Sequence, residues 1–407
     1  MSIPEIAAEL AVDAVVETEV MCLGDTISLQ VRVLTPFPEE KLLWTGDYKE
    51  EKSQILHLYN QVTRQIADEV RIELSPEEER VLNEARTVDK EAYDHYLMGL
   101  FYWDKLSKES LDNALEYFNK AIEIDPEWAP PYSGIAQVWV GLAQMGHAAP
   151  EIAGPMIFGN LNKALELDPD FAAVHYAQGL VGVWVEWNWE KGEMEFIKAL
   201  ELNPNDVMSR IYYAHLLGIL QRLDEAVIQG QLAVDLDPLN PLILALHAAV
   251  LSAADKWEEA MPYLEKAISV DPYSFFAHHI MEFVAYEVDD VDAFIKAVRF
   301  IFPFEENVLN SIEKIALAEG IQAAYKLIVD QLEVLQESMF LVPLHMANRY
   351  VRVQQHEKAM EQVELGFEVH DQNMPYIAGG FSKLDLLYSD PRFLSIIEEL
   401  KLPMPKE

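Results

Sequence analysis

The stretch Ala199-Leu-Glu-Leu-Asn-Pro204 decides the fold of this chain, because its pattern of an alanine followed five residues later by a proline occurs five times. The other copies are Ala121-Ile-Glu-Ile-Asp-Pro126, Ala164-Leu-Glu-Leu-Asp-Pro169, Ala233-Val-Asp-Leu-Asp-Pro238 and Ala267-Ile-Ser-Val-Asp-Pro272. Successive prolines are 43, 35, 34 and 34 residues apart. A period of this length is typical of helix hairpins that stack side by side. The sequence therefore predicts a mainly α protein, a right-handed α-solenoid, which usually holds a partner rather than performing chemistry.

Each predicted hairpin carries a small residue in its first helix, where a partner helix must approach closely. These residues are Gly99, Ala136, Gly179, Ala214 and Ala248. Larger side chains in the second helices, such as Phe118, Phe196 and Leu264, are expected to fill the space between neighbours. Proline ends each second helix, because the residue before a proline is disfavoured in the α region.

The composition bounds the partners and the compartment. The chain has 30 Lys and Arg against 69 Asp and Glu, a formal net charge of −39, so we expect no nucleic-acid partner and no binding to an anionic membrane. Solubility is the favoured interpretation of this acidity, and a basic partner is the alternative. Cys22 is the only cysteine, which excludes an internal disulfide. No secretory signal or membrane-spanning stretch is visible, which predicts a cytoplasmic protein.

Residues 1–75 lack the repeat and predict a small α/β unit. A short helix, three short strands and an amphipathic helix are expected at residues 4–10, 12–20, 27–33, 42–48 and 53–74. A connecting helix is predicted for residues 76–90. Three short strands leave open edges. These edges favour pairing with a second copy of the chain, giving a homodimer, or with the repeats.

Beyond Pro272 the period blurs while helical pairs continue. Pairs are predicted at Phe275–Glu287 with Val291–Ile301, at Asn307–Leu317 with Ile321–Leu335, and at Leu341–Val353 with Glu357–Val369. Residues 273–370 are therefore expected to form degenerate repeats, and residues 371–407 a carboxy-terminal cap. Terminal units of a solenoid are atypical because they cover its core.

The five copies within residues 91–272 resemble the tetratricopeptide repeat, on their small-residue positions, their alanine–aromatic–alanine spacing and their terminal proline. The amino-terminal residues are similar to the second half of the TolB-like domain. In bacteria that domain often precedes tetratricopeptide repeats in adenylyl-cyclase-class, protein-kinase and winged-helix regulators. The resemblance implies a sensory or assembly region. The effector domain of those regulators is missing from this sequence, so the resemblance assigns no catalytic or DNA-reading residue.

No group of residues in the sequence has the spacing of a catalytic, cofactor or metal site. There is no Gly-rich phosphate loop and no Gly-x-Ser-x-Gly or His-Glu-x-x-His motif. His278 and Glu282 are one helical turn apart, but two ligands are too few for a metal site, and a structural role is favoured. We therefore expect no enzyme activity, no cofactor and no metal.

The candidate partner-binding residues lie on the predicted concave face, where the first helices of successive hairpins converge. They are Tyr93, Tyr96, Trp103, Gln137, Tyr176, Trp184, Ile211, His215, His279, Phe283 and Tyr286. Lysine and arginine are nearly absent from this set, which disfavours capture of a peptide carboxylate. A hydrophobic or helical peptide is the expected ligand. The alternative is that these aromatic residues, with the corner Trp184/Trp187/Trp189, pack between the repeats.

Two functions follow from this sequence. The first is a non-enzymatic scaffold or adaptor that binds a protein or peptide in an apolar concave groove. The alternative is a sensory or regulatory component of a bacterial signalling system, whose output domain is on another protein.

Overall fold

The structure, a computed structural model, describes residues 3–10, 12–36, 41–51, 54–70, 88–378 and 380–404. The chain forms two compact units, Met1–Leu97 with Lys120–Trp128, and Met98–Asn119 with Ala129–Glu407. The connecting helix predicted for residues 76–90 falls almost entirely on residues 71–87, which lie outside the described ones.

The first unit contains an antiparallel sheet in the order β1-β2-β3, with β1 at Val15–Leu23, β2 at Thr26–Thr35 and β3 at Lys41–Glu51. Helix α1 spans Ile3–Leu10, and α2, at Ile55–Val70, packs against β3. Inward-facing residues of β2 and α2 form a small core of Ile27, Val31, Leu58 and Val62. The predicted elements are all present, with longer second and third strands.

The remaining helices alternate as first and second members of hairpins. They are α3 Lys90–Trp103, α4 Lys108–Ile124, α5 Ala129–Gln144, α6 Pro150–Leu167, α7 Ala172–Leu180, α8 Trp189–Leu202, α9 Val207–Ile219, α10 Leu223–Leu236, α11 Pro241–Ala253, α12 Trp257–Val270, α13 Phe275–Glu287, α14 Val291–Ile301, α15 Glu306–Glu319, α16 Ile321–Gln336, α17 Pro343–Arg352, α18 His356–Glu368 and α19 Pro391–Glu399. A π-helical turn, Val181–Val185, follows α7.

Within the second unit, first helices such as α9 and α11 pack on their own second helices and on the next first helix, as α9 does on α10 and α11. The predicted small residues allow this approach. A Cβ atom on Gly99 or Gly134 would lie 2.4 Å or 2.7 Å from the ring of Phe118, which is fully buried. Phe196 occupies the equivalent place against Gly179. The aromatic ring of a second helix therefore fills a space that glycine leaves open.

A side chain six residues after the repeat proline bonds to that proline's carbonyl oxygen in three hairpins. His175 Nε2 lies 2.9 Å from Pro169 O, and His278 Nε2 lies 3.1 Å from Pro272 O. Arg210 Nη2 donates to Pro204 O at 2.6 Å. These contacts tie the turn between hairpins to the following first helix. His175 and His278 thus each take a structural role, as ring nitrogens bonded to the backbone of the preceding turn.

Helices α5 and α6 are joined by a short loop at residues 145–149, and α6 begins at Pro150. Proline is tolerated at the first helical position because its missing N–H has no partner there anyway.

Gly134→Ala should destabilise the second unit, because its new methyl group meets Phe118 in a packed interior. The expected loss is about 1–3 kcal/mol of unfolding free energy, measured from urea or thermal unfolding. Gly159→Ala is the matched control, since no atom lies within 4 Å of its new methyl group. In a helix interior this substitution should stabilise by roughly 0.5–1 kcal/mol. Equal effects of the two substitutions would contradict the packing argument.

Candidate functional site

The carboxy-terminal segment, residues 370–404, lies against the carboxyl ends of the first helices. Phe381 stacks on His215 of α9 at 4.9 Å between ring centroids, and it packs on Gly218, where a Cβ atom would lie 2.6 Å away. Tyr376 contacts His215 and Trp184 at 6.1 and 6.2 Å between centroids. The face of the first helices is therefore covered by aromatic residues of the same chain.

Polar side chains hold the main chain of this segment. Gln221 Nε2 lies within 3.1 Å of the carbonyl oxygens of Ala378, Pro403 and Met404. Trp189 Nε1 donates to the carbonyl of Leu400 at 2.9 Å. Side chains of the repeats thus bind backbone carbonyl oxygens of the segment.

Two further contacts hold the first part of the segment. Asn373 Nδ2 donates to the carbonyl of Gln144, at the end of α5, at 2.9 Å. Lys383 forms an ion pair with Asp255, in the turn after α11, at 2.7 Å.

A cavity of about 140 Å³ lies between the segment and helices α9, α11, α13 and α17. Apolar and aromatic residues make up much of its wall, and several polar side chains complete it. The wall includes His215, Leu246, Ala249, Ser252, His279, Phe283, His345, Arg352, Asn373, Tyr376, Phe381 and Lys383.

A buried ionic cluster lies beside this cavity. Glu282 of α13 is fully buried and accepts bonds from the Tyr325 hydroxyl and from Arg349 Nη2, the latter at 3.0 Å. One turn further along α17, the guanidinium of Arg352 stacks over Phe283 and Tyr286, 4.4 and 4.7 Å from their centroids. Because a buried carboxylate is costly without partners, Glu282 fixes α13 against α16 and α17.

Burial keeps the histidines of the cavity neutral. Desolvation, and then the charges of Arg349 and Arg352, lowers the pKa of His279 to about 3. Burial, and then the charges of His279 and Arg349, also holds the pKa of His345 well below its usual value. Desolvation lowers the pKa of His215 to about 4, although its bond to the carbonyl of Leu246 acts in the opposite direction. The rings therefore serve as neutral hydrogen-bonding and stacking groups at pH 7.

The structure distributes the eleven candidate residues over three environments. Tyr93 and Tyr96 belong to the first unit, where they contact Trp128. Buried side chains that face no open groove are Trp103, Gln137, Tyr176, Trp184 and Ile211. Those at the cavity are His215, His279 and Phe283, with Tyr286 beside them against Arg352. The open concave groove predicted from the sequence is therefore corrected: much of its wall packs inside the protein, because aromatic side chains bury large apolar areas.

Sequence reasoning missed Arg352, which lines the cavity, and Arg349, which lies beside it. The two arginines are three residues apart on α17, and the predicted concave face ended at Tyr286, so it did not include this helix. Two arginines on one side of a helix with apolar neighbours were a usable signal. Tyr376 and Phe381 carried no signal, because their contacts to His215 join residues more than 150 positions apart.

His278 and Glu282 do not converge on a common ligand. His278 bonds to Pro272 and stacks on Phe300 at 4.0 Å between centroids, while Glu282 binds Arg349. Across the described part of the chain, no group of three or more His, Cys, Asp or Glu residues could hold a metal ion. No helix among the described residues combines the length and the apolar character needed to cross a membrane.

Comparisons with known proteins found one family match and several solved structures of similar fold. Residues 95–127 match the family model of the tetratricopeptide repeat. In fold, the chain is similar to a monomeric mutant of IFIT1 with Gppp-AAAA, at 15% identity over 84% of this chain and 76% of that chain, TM-score 0.49. It is also similar to yeast Tom70, at 19% identity over 76% of this chain and 68% of that chain, with a TM-score of 0.38. It is similar to Pseudomonas aeruginosa PilF as well, at 17% identity over 53% of this chain and 94% of that chain, with a TM-score of 0.36. No curated protein matches the sequence.

Residues 95–127 therefore match one tetratricopeptide repeat, and the described chain is an α-solenoid of repeated helix hairpins with a small amino-terminal sheet. This fold generally serves as a scaffold for protein or peptide partners, because its stacked hairpins offer an extended surface.

Burial of His215 should make stability depend on pH. Its pKa is about 4 in the folded chain against an ordinary value of about 6.5, so the unfolded chain binds more protons between these values. The contribution of neutral His215 to the free energy of unfolding is complete above pH 6.5 and is lost as the pH falls towards 4. At pH 5 the loss is about 2 kcal/mol relative to pH 7.

The test compares unfolding at pH 7 and pH 5 for the wild type and for His215→Gln. The variant should lose less stability on acidification. His57→Gln, at an exposed histidine of α2, is the control and should keep the pH dependence of the wild type. If His215→Gln keeps it too, His215 does not carry the effect.

Proposed function

We propose that this protein is a non-enzymatic cytoplasmic scaffold that binds a peptide or protein segment on the face of its first helices. The single observation that carries the proposal is the position of the carboxy-terminal segment on that face. Its aromatic residues Tyr376 and Phe381 act as anchors, and Gln221 and Trp189 bind its carbonyl oxygens. The same combination of apolar anchors and backbone hydrogen bonds would bind an external segment.

In this proposal the carboxy-terminal segment and the partner compete for one surface. An intramolecular segment has an effective concentration in the millimolar range, so an external peptide binds only when the segment is displaced. The acidic character of the chain, with a formal net charge of −39, disfavours nucleic acid as that partner and favours a neutral or basic segment.

A sensory or regulatory component remains the second candidate function. The observation in its favour is the covered cavity, because a small molecule bound there would contact both the repeats and the segment that covers them. A cyclase, kinase or winged-helix protein encoded beside this chain would support it.

Weakening the anchors should open the face to an external peptide. The full-length double variant Tyr376→Ala/Phe381→Ala should bind a fluorescently labelled peptide of residues 370–404 at least about tenfold more tightly than the wild type. Fluorescence anisotropy measures the binding. Tyr273→Ala, at a tyrosine that is 83% exposed, and a scrambled peptide are the controls. No binding of the peptide to the double variant would refute a segment-binding face.

We also propose that β1 mediates homodimerisation by sheet extension. In the described sheet β1 is an edge strand of nine residues, without lysine, arginine or proline. It exposes Val16, Val20, Met21 and Leu23. Edge strands normally carry lysine or proline to prevent pairing, whereas the charged residues of β1 are Glu17 and Glu19, and Glu17 is paired with Arg32. A second copy of β1 is the simplest partner, since it presents the same unpaired backbone groups.

Val20→Lys should convert a dimer into a monomer, because a lysine in the edge strand opposes pairing. Light scattering after size-exclusion chromatography, at high micromolar concentration, gives the mass. Leu42→Lys, at an exposed position of β3, is the control and should remain dimeric. A monomeric wild type under these conditions would exclude dimerisation through this edge.

A further inference from the structure

The cavity under the carboxy-terminal segment has the size of a small-molecule site. Its volume is about 140 Å³, and a cavity of roughly 150 Å³ lined by apolar side chains is large enough for benzene. It is too small for a folded element or several peptide residues. Its ligand therefore differs from the segment partner of the proposed function.

The charge of the wall is opposite to that of the chain. The chain has a formal net charge of −39, yet the residues that line this cavity include no aspartate or glutamate among those described. Two cations, Arg352 and Lys383, are present, and Lys383 is paired with Asp255. His279 and His345 contribute no charge because burial holds their pKa values low. The charge available to a ligand is that of Arg352.

Arg352 is buried, with 7% of its surface exposed, and its hydrogen-bonding capacity is largely unused. Nε and Nη1 have no hydrogen-bond partner among the described residues. Nη2 lies 3.7 Å from Glu287, which is an ion pair beyond hydrogen-bond distance. Buried donors without partners are costly, and a guanidinium binds a carboxylate through two parallel bonds.

We propose that this cavity binds a small organic carboxylate, with its carboxylate group at Arg352 and a compact apolar or aromatic body between Phe283, Tyr376 and Phe381. These rings and the aliphatic residues Leu246 and Ala249 form the apolar wall. The single guanidinium of Arg352 already forms an ion pair with Glu287. It therefore suits a monoanion better than a phosphate dianion. Ser252 and Asn373 also line the cavity and donate to Ala248 O and Gln144 O, so each has an oxygen atom that can accept a bond from a ligand substituent.

The site is testable on the full-length protein by isothermal titration calorimetry. The probes are benzoate, phenylacetate and 3-methylbutanoate, with benzamide as the neutral analogue of benzoate. At least one carboxylate should bind saturably with a Kd below about 1 mM. Benzamide should bind at least about tenfold more weakly than benzoate, because it lacks the charge that Arg352 recognises.

Two variants locate the binding. Arg352→Gln should weaken the tightest carboxylate at least about tenfold. Ala249→Leu fills the cavity while it keeps the arginine, so it should also abolish binding even if Arg352→Gln does not fold. Arg299→Gln, at an arginine paired with Glu306 and Glu313 outside the cavity wall, should bind as the wild type does. The proposal is overturned if no carboxylate binds at up to about 10 mM, or if Ala249→Leu binds as tightly as the wild type.

Discussion

The close approach of successive helices at glycine and alanine is the constraint on which the second unit depends. Phe118 occupies the space that Gly99 and Gly134 leave open, and Phe196 does the same beside Gly179. A methyl group at these glycines would overlap the aromatic ring. Because each hairpin exposes apolar surface that only its neighbour can cover, this fit is what lets the hairpins share one interior. The aligned ends of the first helices, and hence the cavity, exist only because this packing holds.

The carboxy-terminal segment covers that aligned surface. A stack of hairpins with an empty first-helix face would expose His215 and its aromatic neighbours to water. Instead Tyr376 and Phe381 cover them, while Gln221 satisfies carbonyl oxygens of the segment. Apolar burial and backbone hydrogen bonds act together here, so the segment is held like a bound peptide.

The ionic groups beside the cavity show how a mostly apolar interior tolerates charge. Glu282 is fully paired by Arg349 and Tyr325, as a buried carboxylate must be. Arg352 is instead supported mainly by the faces of Phe283 and Tyr286, which stabilise its charge without using its donors. That difference leaves hydrogen-bonding capacity at one wall of the cavity. Neutral histidines nearby add polarity but no competing charge.

The sequence by itself determined the hairpins, because helix periodicity, small residues and the repeat proline act within a few tens of residues. The bounds of α13 and α14, Phe275–Glu287 and Val291–Ile301, agree with those predicted. Only the tertiary structure decided which first-helix side chains reach a ligand. Trp184 and Tyr176 have the same spacing as exposed groove residues, yet they are buried. The covering contacts join residues such as His215 and Tyr376, 161 positions apart. Local patterns carry no information about such distant pairs.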